Sequence, residues 1–383
     1  MLDRRSFLAT GAGLAAMSLA PRIAFARAET DRRFVFIIQR GAADGLGTIG
    51  AVGDPAFAGA RGTLGEDFAT AKKLDSTFAL HPAMALLGQM YDGGEALFAH
   101  AIASPYRDRS HFDGQNVLES GGTGAYQVKD GWLNRMLGVI PSGEAKAIAV
   151  SATIPLALRG AHEVTSYAPS ALPQASDDLM ARVAALYQGD SQLHGLWSEA
   201  MDTRTLTGDL TAANAANAAA TGSLAAKLLA PANGARIAMI ETGGWDTHAG
   251  QRPRLAAQLR GLDAMIAALK TGMGPAWSDT MVLVATEFGR TVAVNGTGGS
   301  DHGTGSAAML VGGAVKGGRV MADWPGLGQA ALFEGRDLKP TLGLDQFVAG
   351  AVAGHYGVEP GRVMAALFPE TKGAAPVMGM SRA

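Results

Sequence analysis

The sequence predicts an α/β fold: a three-layer α/β/α sandwich around a mainly parallel sheet. Three observations carry that expectation. Short apolar runs suited to buried strands recur at residues 33–39, 96–102, 147–150, 236–241, 280–286 and 307–312. Segments with apolar residues at helical spacing separate several of these runs, and strand–helix alternation argues for a parallel sheet covered on both faces. Glycine-rich polar clusters sit at the ends of the runs, where open α/β sheets bind their ligands.

Taken in order, Arg33-Phe34-Val35-Phe36-Ile37-Ile38-Gln39 reads as a buried first strand, and Gly41-Ala42-Ala43-Asp44-Gly45 as a tight turn after it. Residues 80–92 carry Leu80, Met84, Leu87 and Met90 at helical spacing. Residues 96–102 form the next expected strand, and a helix is expected over 112–119 after a polar loop. Residues 147–150 make another short strand. From about 174 to 229 the chain reads as helical, and its segment 210–220 is so rich in alanine that a helix is expected rather than a linker. A helix over 254–270 (Leu255, Leu259, Leu262, Met265, Ile266, Leu269) lies between the strands at 236–241 and 280–286. Neither an internal repeat nor a Pro/Ser-rich linker divides the chain. One domain over 27–383 is therefore expected, with a helical insertion at about 155–230.

Asp3-Arg4-Arg5-Ser6-Phe7-Leu8, a weakly apolar stretch over 9–20 and the small-x-small triplet Ala24-Phe25-Ala26 fit a twin-arginine signal over residues 1–26. The expected address is the periplasm or the exterior, reached through the twin-arginine export machinery. There is no cysteine, which excludes disulfides, thiolate ligands and a cysteine nucleophile. The net charge is −2, without a basic stripe, so nucleic acid is not an expected partner. No run of about 18 apolar residues follows the signal, so no membrane span is expected in the mature chain.

The chemistry-bearing residues gather at strand ends. Asp246 and His248 stand two apart in Gly243-Gly244-Trp245-Asp246-Thr247-His248, so in extended chain they point to one side. Glu287 ends a strongly apolar run, where a metal or Arg290, three residues on, is expected to answer its charge. Asp301 and His302 lie in a glycine-rich loop. Asp44 occupies the first turn, where local turn chemistry is the alternative role. Ser110 falls at an expected helix N-terminus, suited to a nucleophile and equally to an N-cap, with Asp113 three residues later resembling a capping box. Arg107 and Arg109 read as anion binders or solvated loop charges. Carboxylates and imidazoles gathered in this way suit a divalent metal.

The set Arg40-Gly41-Ala42-Ala43-Asp44-Gly45-Leu46, Ser110-His111-Phe112-Asp113-Gly114-Gln115, Gly243-Gly244-Trp245-Asp246-Thr247-His248, Thr286-Glu287-Phe288-Gly289-Arg290-Thr291 and Asp301-His302-Gly303 resembles the DUF1501 family over nearly the whole mature chain. That family in turn resembles the alkaline phosphatase superfamily. The resemblance implies metals at the carboxyl ends of the strands and a Ser, Thr or formylglycine nucleophile at a helix start. By position it implies metal ligation by Asp44, Asp246, His248, Glu287 and His302, with Ser110 as nucleophile. Phe288 departs from the pattern, standing where the superfamily has a histidine, and His111 is the candidate to supply the missing imidazole. A divalent metal is the expected cofactor, Zn, Mn, Mg or Ca, either as a single ion or in a carboxylate-rich site suited to Mn, Mg or Ca. Ala103-Ser104-Pro105-Tyr106-Arg107 lacks the sulfatase nucleophile motif.

The expected function is hydrolysis or transfer of a phosphate or related ester, small or part of an envelope polymer. Asp44, Asp246, His248, Glu287, Asp301 and His302 form the expected metal set, with Asp301 orienting His302. Ser110, His111 and Arg290 form the expected catalytic set. Two alternatives stay open on the sequence: a metal-free serine esterase, and a non-catalytic metal-stabilised binding scaffold of the envelope.

Overall fold

The computed structural model describes residues 30–141, 146–168 and 217–382, with scattered positions between 183 and 197. The expected signal over 1–26 and most of the alanine-rich segment 210–220 lie outside the described residues.

Nine strands build the main sheet: β1 (Arg33–Gln39), β2 (Ala96–Ala103), β3 (Ala147–Val150), β4 (Thr165–Ser166), β5 (Ile237–Thr242), β6 (Thr280–Thr286), β7 (Ser306–Val311), β8 (Arg319–Met321) and β9 (Leu342–Gly343). Their order is β8-β2-β7-β6-β1-β5-β3-β4, with β9 also paired to β2. β1 sits near the middle and pairs in parallel with β5 and β6. Among the described strands of this sheet only β7 runs against the rest, antiparallel to both β2 and β6. The amino end of β7 therefore lies at the edge where its neighbours end.

Alternating side chains of the central strands feed two separate cores, as the two-residue strand period requires. Val35 and Ile37 face a core shared with helices α1 (Ala85–Asp92), α4 (Ala218–Leu229) and α5 (Gln251–Met273). Phe34, Phe36 and Ile38 face the opposite core, shared with α3 (Trp132–Leu137), α6 (Leu344–Tyr356) and α7 (Pro360–Leu367). The result is the expected three-layer arrangement. Each large side chain buried in this way contributes roughly 1.5–3 kcal/mol, and Phe34, Phe36, Ile37 and Ile38 are fully buried. The remaining long helix, α2 (His111–Ser120), carries the site.

Two local expectations differ from the structure. The helix expected over 80–92 begins only at Ala85, because Ala79–Leu80 pair as a strand of a small second sheet. Within the expected helical insertion at about 155–230, Leu156–Leu158 form a 3-10 turn and Thr165–Ser166 extend the main sheet as β4. Pro155 and the backbone pairing of Thr165 with Ile148 set that course. No described helix is long and apolar enough to cross a membrane.

Candidate metal centre

The three polar clusters meet at one edge of the sheet. β5 ends at Thr242, in the loop that carries Asp246; β6 ends at Thr286, next to Glu287; and β7 begins at Ser306, after the loop that carries His302. The last two clusters are laced together by an antiparallel bridge between Arg290 and His302. Gly289 accepts from Gly303 N–H at 2.8 Å and donates to the Thr304 carbonyl at 2.9 Å. Only glycine fits there, since a Cβ on residue 289 would lie 1.8 Å from the Gly305 carbonyl oxygen. Gly41, with φ of +120°, plays a similar part across the sheet: its added Cβ would lie 2.6 Å from the Asp246 nitrogen.

Asp246 is the centre of convergence. Its carboxylate lies 3.0 Å from His248 Nε2, 3.4 Å from His302 Nε2 and 3.5 Å from His111 Nε2. The donor atoms of His111, Asp246 and His302 all fall within 4.8 Å of one another. His248 Nε2 also lies 3.0 Å from His302 Nε2. The opposite nitrogen of each ring is held by an oxygen: His111 Nδ1 by Glu287 at 2.8 Å, His248 Nδ1 by Asp301 at 3.2 Å, and His302 Nδ1 by the Arg109 carbonyl at 3.0 Å.

That pattern fixes the tautomers. A carbonyl or carboxylate can only accept, so each Nδ1 carries a proton and Nε2 is the nitrogen turned toward the Asp246 carboxylate. His111 Nε2 is buried without a hydrogen-bond partner. His248 Nε2 and His302 Nε2 face one another, and that arrangement needs a proton or a metal ion between them. Ligand atoms about 2.0–2.1 Å from one tetrahedral zinc ion stand roughly 3.3–3.4 Å apart, near the 3.0–3.5 Å between Asp246 and the three rings. The residues therefore fit a divalent metal of nitrogen- and oxygen-binding character.

Burial works against ionisation of Asp246, but Arg290 and the three imidazoles hold its carboxyl below the usual range. The hydrogen bond that His111 donates to Glu287 pushes His111 up, while burial and the nearby His111 push His302 down. Phe288 walls the centre: its ring stacks on His111 at 5.2 Å between centroids and stands 5.3 Å from the His302 ring.

The structure redistributes the expected roles. Asp44 is not in this cluster; its buried carboxylate pairs with Arg61 and accepts from Gly47 N–H at 3.0 Å and from Gln251 Nε2. Glu287 is fully buried but does not pair with Arg290. Its Oε1 accepts from His111, Gln115 and the backbone N–H groups of Gly41 and Ala42, at 2.8, 3.2, 2.9 and 3.1 Å. Arg290 turns the other way, along the bridge, and pairs with Asp246. Asp301 supports His248 rather than His302. Arg109 is tied to Asp337 at 2.8 Å and to Glu334, so it is neither solvated nor free for an anion, and Arg107 donates to backbone carbonyls of its own loop. Ser110 is the N-cap residue of α2, half-buried, directly before His111, and its side chain makes no capping bond to the helix. The expected capping box is absent.

Residues 31–368 match the family described as "Protein of unknown function (DUF1501)". The chain belongs to the DUF1501 family. No curated protein matches it. Among solved structures, it is similar to Ps i-CgsB in complex with k-i-k-neocarrahexaose, at TM-score 0.42 and 10% identity over 86% of this chain and 73% of that one. It is similar to a 2-O GAG sulfatase at TM-score 0.38 and 8% identity, over 90% and 76% of the two chains. It is also similar to the phosphonate monoester hydrolase of Agrobacterium radiobacter at TM-score 0.32 and 10% identity, over 76% and 70%. These likenesses are distant. In this DUF1501 chain the His111 ring, at the start of α2, stacks on Phe288 and stands beside Asp246 and His302. Arg61 and Gln251 escaped the sequence reading, while Gln115 stood in the Ser110–Gln115 motif and Ser300 beside Asp301, neither with a role assigned.

Proposed function

We propose that this chain is an exported, metal-dependent hydrolase of a phosphate or related ester, with Ser110 as nucleophile. The observation that carries the reading is the convergence of three imidazole Nε2 atoms on the Asp246 carboxylate, each ring held by an oxygen at Nδ1. His111, Asp246, His248 and His302 would hold the ion. Bound there, a divalent metal supplies a positive charge that lowers the pKa of a neighbouring hydroxyl and stabilises charge on the transferring group.

The chain's own groups supply the rest. Glu287, Asp301 and the Arg109 carbonyl hold the three rings in their ligating tautomers. Arg290 orients Asp246. Ser110 stands where the free N–H groups of the first turn of α2 favour an anion. Its hydroxyl, free of any cap bond, would lose its proton and attack the ester. The alcohol would leave with a proton, and water would then cleave the seryl ester. Export through the twin-arginine route to the periplasm or beyond is part of the proposal, supported by Arg4-Arg5 and the Ala24-Phe25-Ala26 triplet.

A second reading has one observation in its favour. Asp44 and Glu287 are both committed elsewhere, which leaves one metal-binding group among the described residues. A metal-stabilised binding domain needs no more. Elemental analysis of the purified protein, beside Asp246→Asn and His302→Ala variants, tests both. Stoichiometric metal lost in the variants, with ester turnover that Ser110→Ala abolishes while keeping the metal, is the expected result. Metal without turnover on phosphate and sulfate esters favours the binding domain. An absence of metal even after reloading overturns both.

A further inference from the structure

Asp44 lies outside the cluster, yet a buried chain of hydrogen bonds joins it to the centre. Arg290 Nη2 donates to Asp246 Oδ1, and Nη1 donates to the Ser300 carbonyl at 2.7 Å. Ser300 Oγ donates to Gln251 Oε1 at 2.6 Å, and Gln251 Nε2 donates to Asp44 Oδ2. Gln251 and Ser300 are fully buried, and Arg290 and Asp44 nearly so.

We propose that Gln251 and Ser300 are positioning residues of the metal centre. They form a relay, anchored on Asp44, that fixes the Arg290 guanidinium and through it the Asp246 carboxylate. The proposal rests on the metal reading given above.

Three features support it. Arg290 Nε is buried with no partner, so the guanidinium is aimed by its two Nη contacts, one to Ser300 and one to Asp246. A planar fork held at one tip turns about that tip unless the other is also fixed. The Ser300 carbonyl is the second fixing point, and the Ser300 side chain is itself pinned by Gln251. Asp44 gives the chain an immobile end, because its charge is met by the fully buried Arg61 and by the Gly47 N–H. The hydroxyl and amide donors both point toward Asp44, so its charge strengthens each bond on the way. Asp44 would thus act on the metal from a distance, without ligating it.

The test uses the full chain and three variants: Ser300→Ala, Ser300→Thr and Gln251→Met. Zn²⁺ affinity is measured by chelator competition, ligand geometry by the visible spectrum of the Co²⁺-loaded protein, and fold integrity by the thermal midpoint in chelator. Ser300→Ala and Gln251→Met are expected to weaken Zn²⁺ binding about tenfold and to change the Co²⁺ spectrum. Ser300→Thr, which keeps the hydroxyl, is expected to restore both. Ser300→Ala should melt close to wild type without metal, so it decides the matter if Gln251→Met fails to fold. Unchanged affinity and spectrum in Ser300→Ala overturn the relay and leave the metal centre standing, as does equal weakening in Ser300→Thr. A wild-type chain that takes up neither ion overturns the metal reading and the relay with it.

Discussion

At the scale of single residues, the chain uses two kinds of histidine. His111, His248 and His302 have Nδ1 held by an oxygen and turn Nε2 toward Asp246. His100 does the opposite: Nε2 donates to the Ile49 carbonyl at 2.9 Å and Nδ1 accepts from Ala101 N–H at 2.8 Å. A further proton has no place to go, and burial pushes the ring down to about 4. The sign follows from linkage. Below the ordinary value of 6.5, the unfolded chain takes a proton that the folded chain refuses. The stability is whole above that value, falls as the pH drops, and levels off near 4. The window is worth up to about 3 kcal/mol. Denaturant midpoints of wild type and His100→Gln between pH 7 and 4.5 check this, with a shallower fall expected in the variant. Glu287 is the other decisive residue, because one carboxylate oxygen answers His111, Gln115 and two backbone donors. Glu287→Gln should weaken Zn²⁺ binding by about 10- to 100-fold. It should also cost about 1–3 kcal/mol of stability, since the new amide meets donors with a donor. A zinc titration and an unfolding curve measure the two effects.

At the scale of elements, the site depends on how strand ends are tied. β7 is reversed, so the loop before it reaches the edge where β5 and β6 end. The Arg290–His302 bridge then brings His302 to Asp246. Gly289 makes that approach sterically feasible. Gly289→Ala is expected to cost about 3 kcal/mol, as overpacking does, and to lower metal content together with stability. Chemical unfolding and elemental analysis of the same sample check it. α2 contributes differently: it carries His111 into the centre at its first position, with Phe288 stacked on the ring. Arg109, just upstream, holds a left-handed φ of 59° and presents its carbonyl to His302. A non-glycine residue adopts that conformation at some cost, and here its guanidinium is anchored by Asp337 and Glu334.

At the scale of the whole molecule, a metal that binds only the folded chain should stabilise it. Zn²⁺ at about 100 times its Kd should add about 2.7 kcal/mol. Thermal unfolding with metal and with chelator measures this, and the gain should vanish in His302→Ala. The layering around this centre was legible in the sequence. The central strands were found to within a residue or two, at 33–39, 96–102, 236–241, 280–286 and 307–312, because strands covered on both faces are written as mainly apolar runs. The helix expected over 254–270 was found inside Gln251–Met273 for the same kind of reason, its 3.6-residue spacing. Asp246 and His248 were legible as a pair, since two residues apart on extended chain share a side.

The reversal of β7 was not legible, because an apolar run carries no direction. Nor was the division of labour among the carboxylates. Asp44, Asp246, Glu287 and Asp301 have the same chemistry in sequence, and each stands beside a strand end or a loop. What separates them is the partner that arrives from far along the chain: Arg61 for Asp44, Arg290 for Asp246, His111 for Glu287 and His248 for Asp301. A buried charge must be answered, and the sequence states the charge while only the tertiary fold decides what answers it.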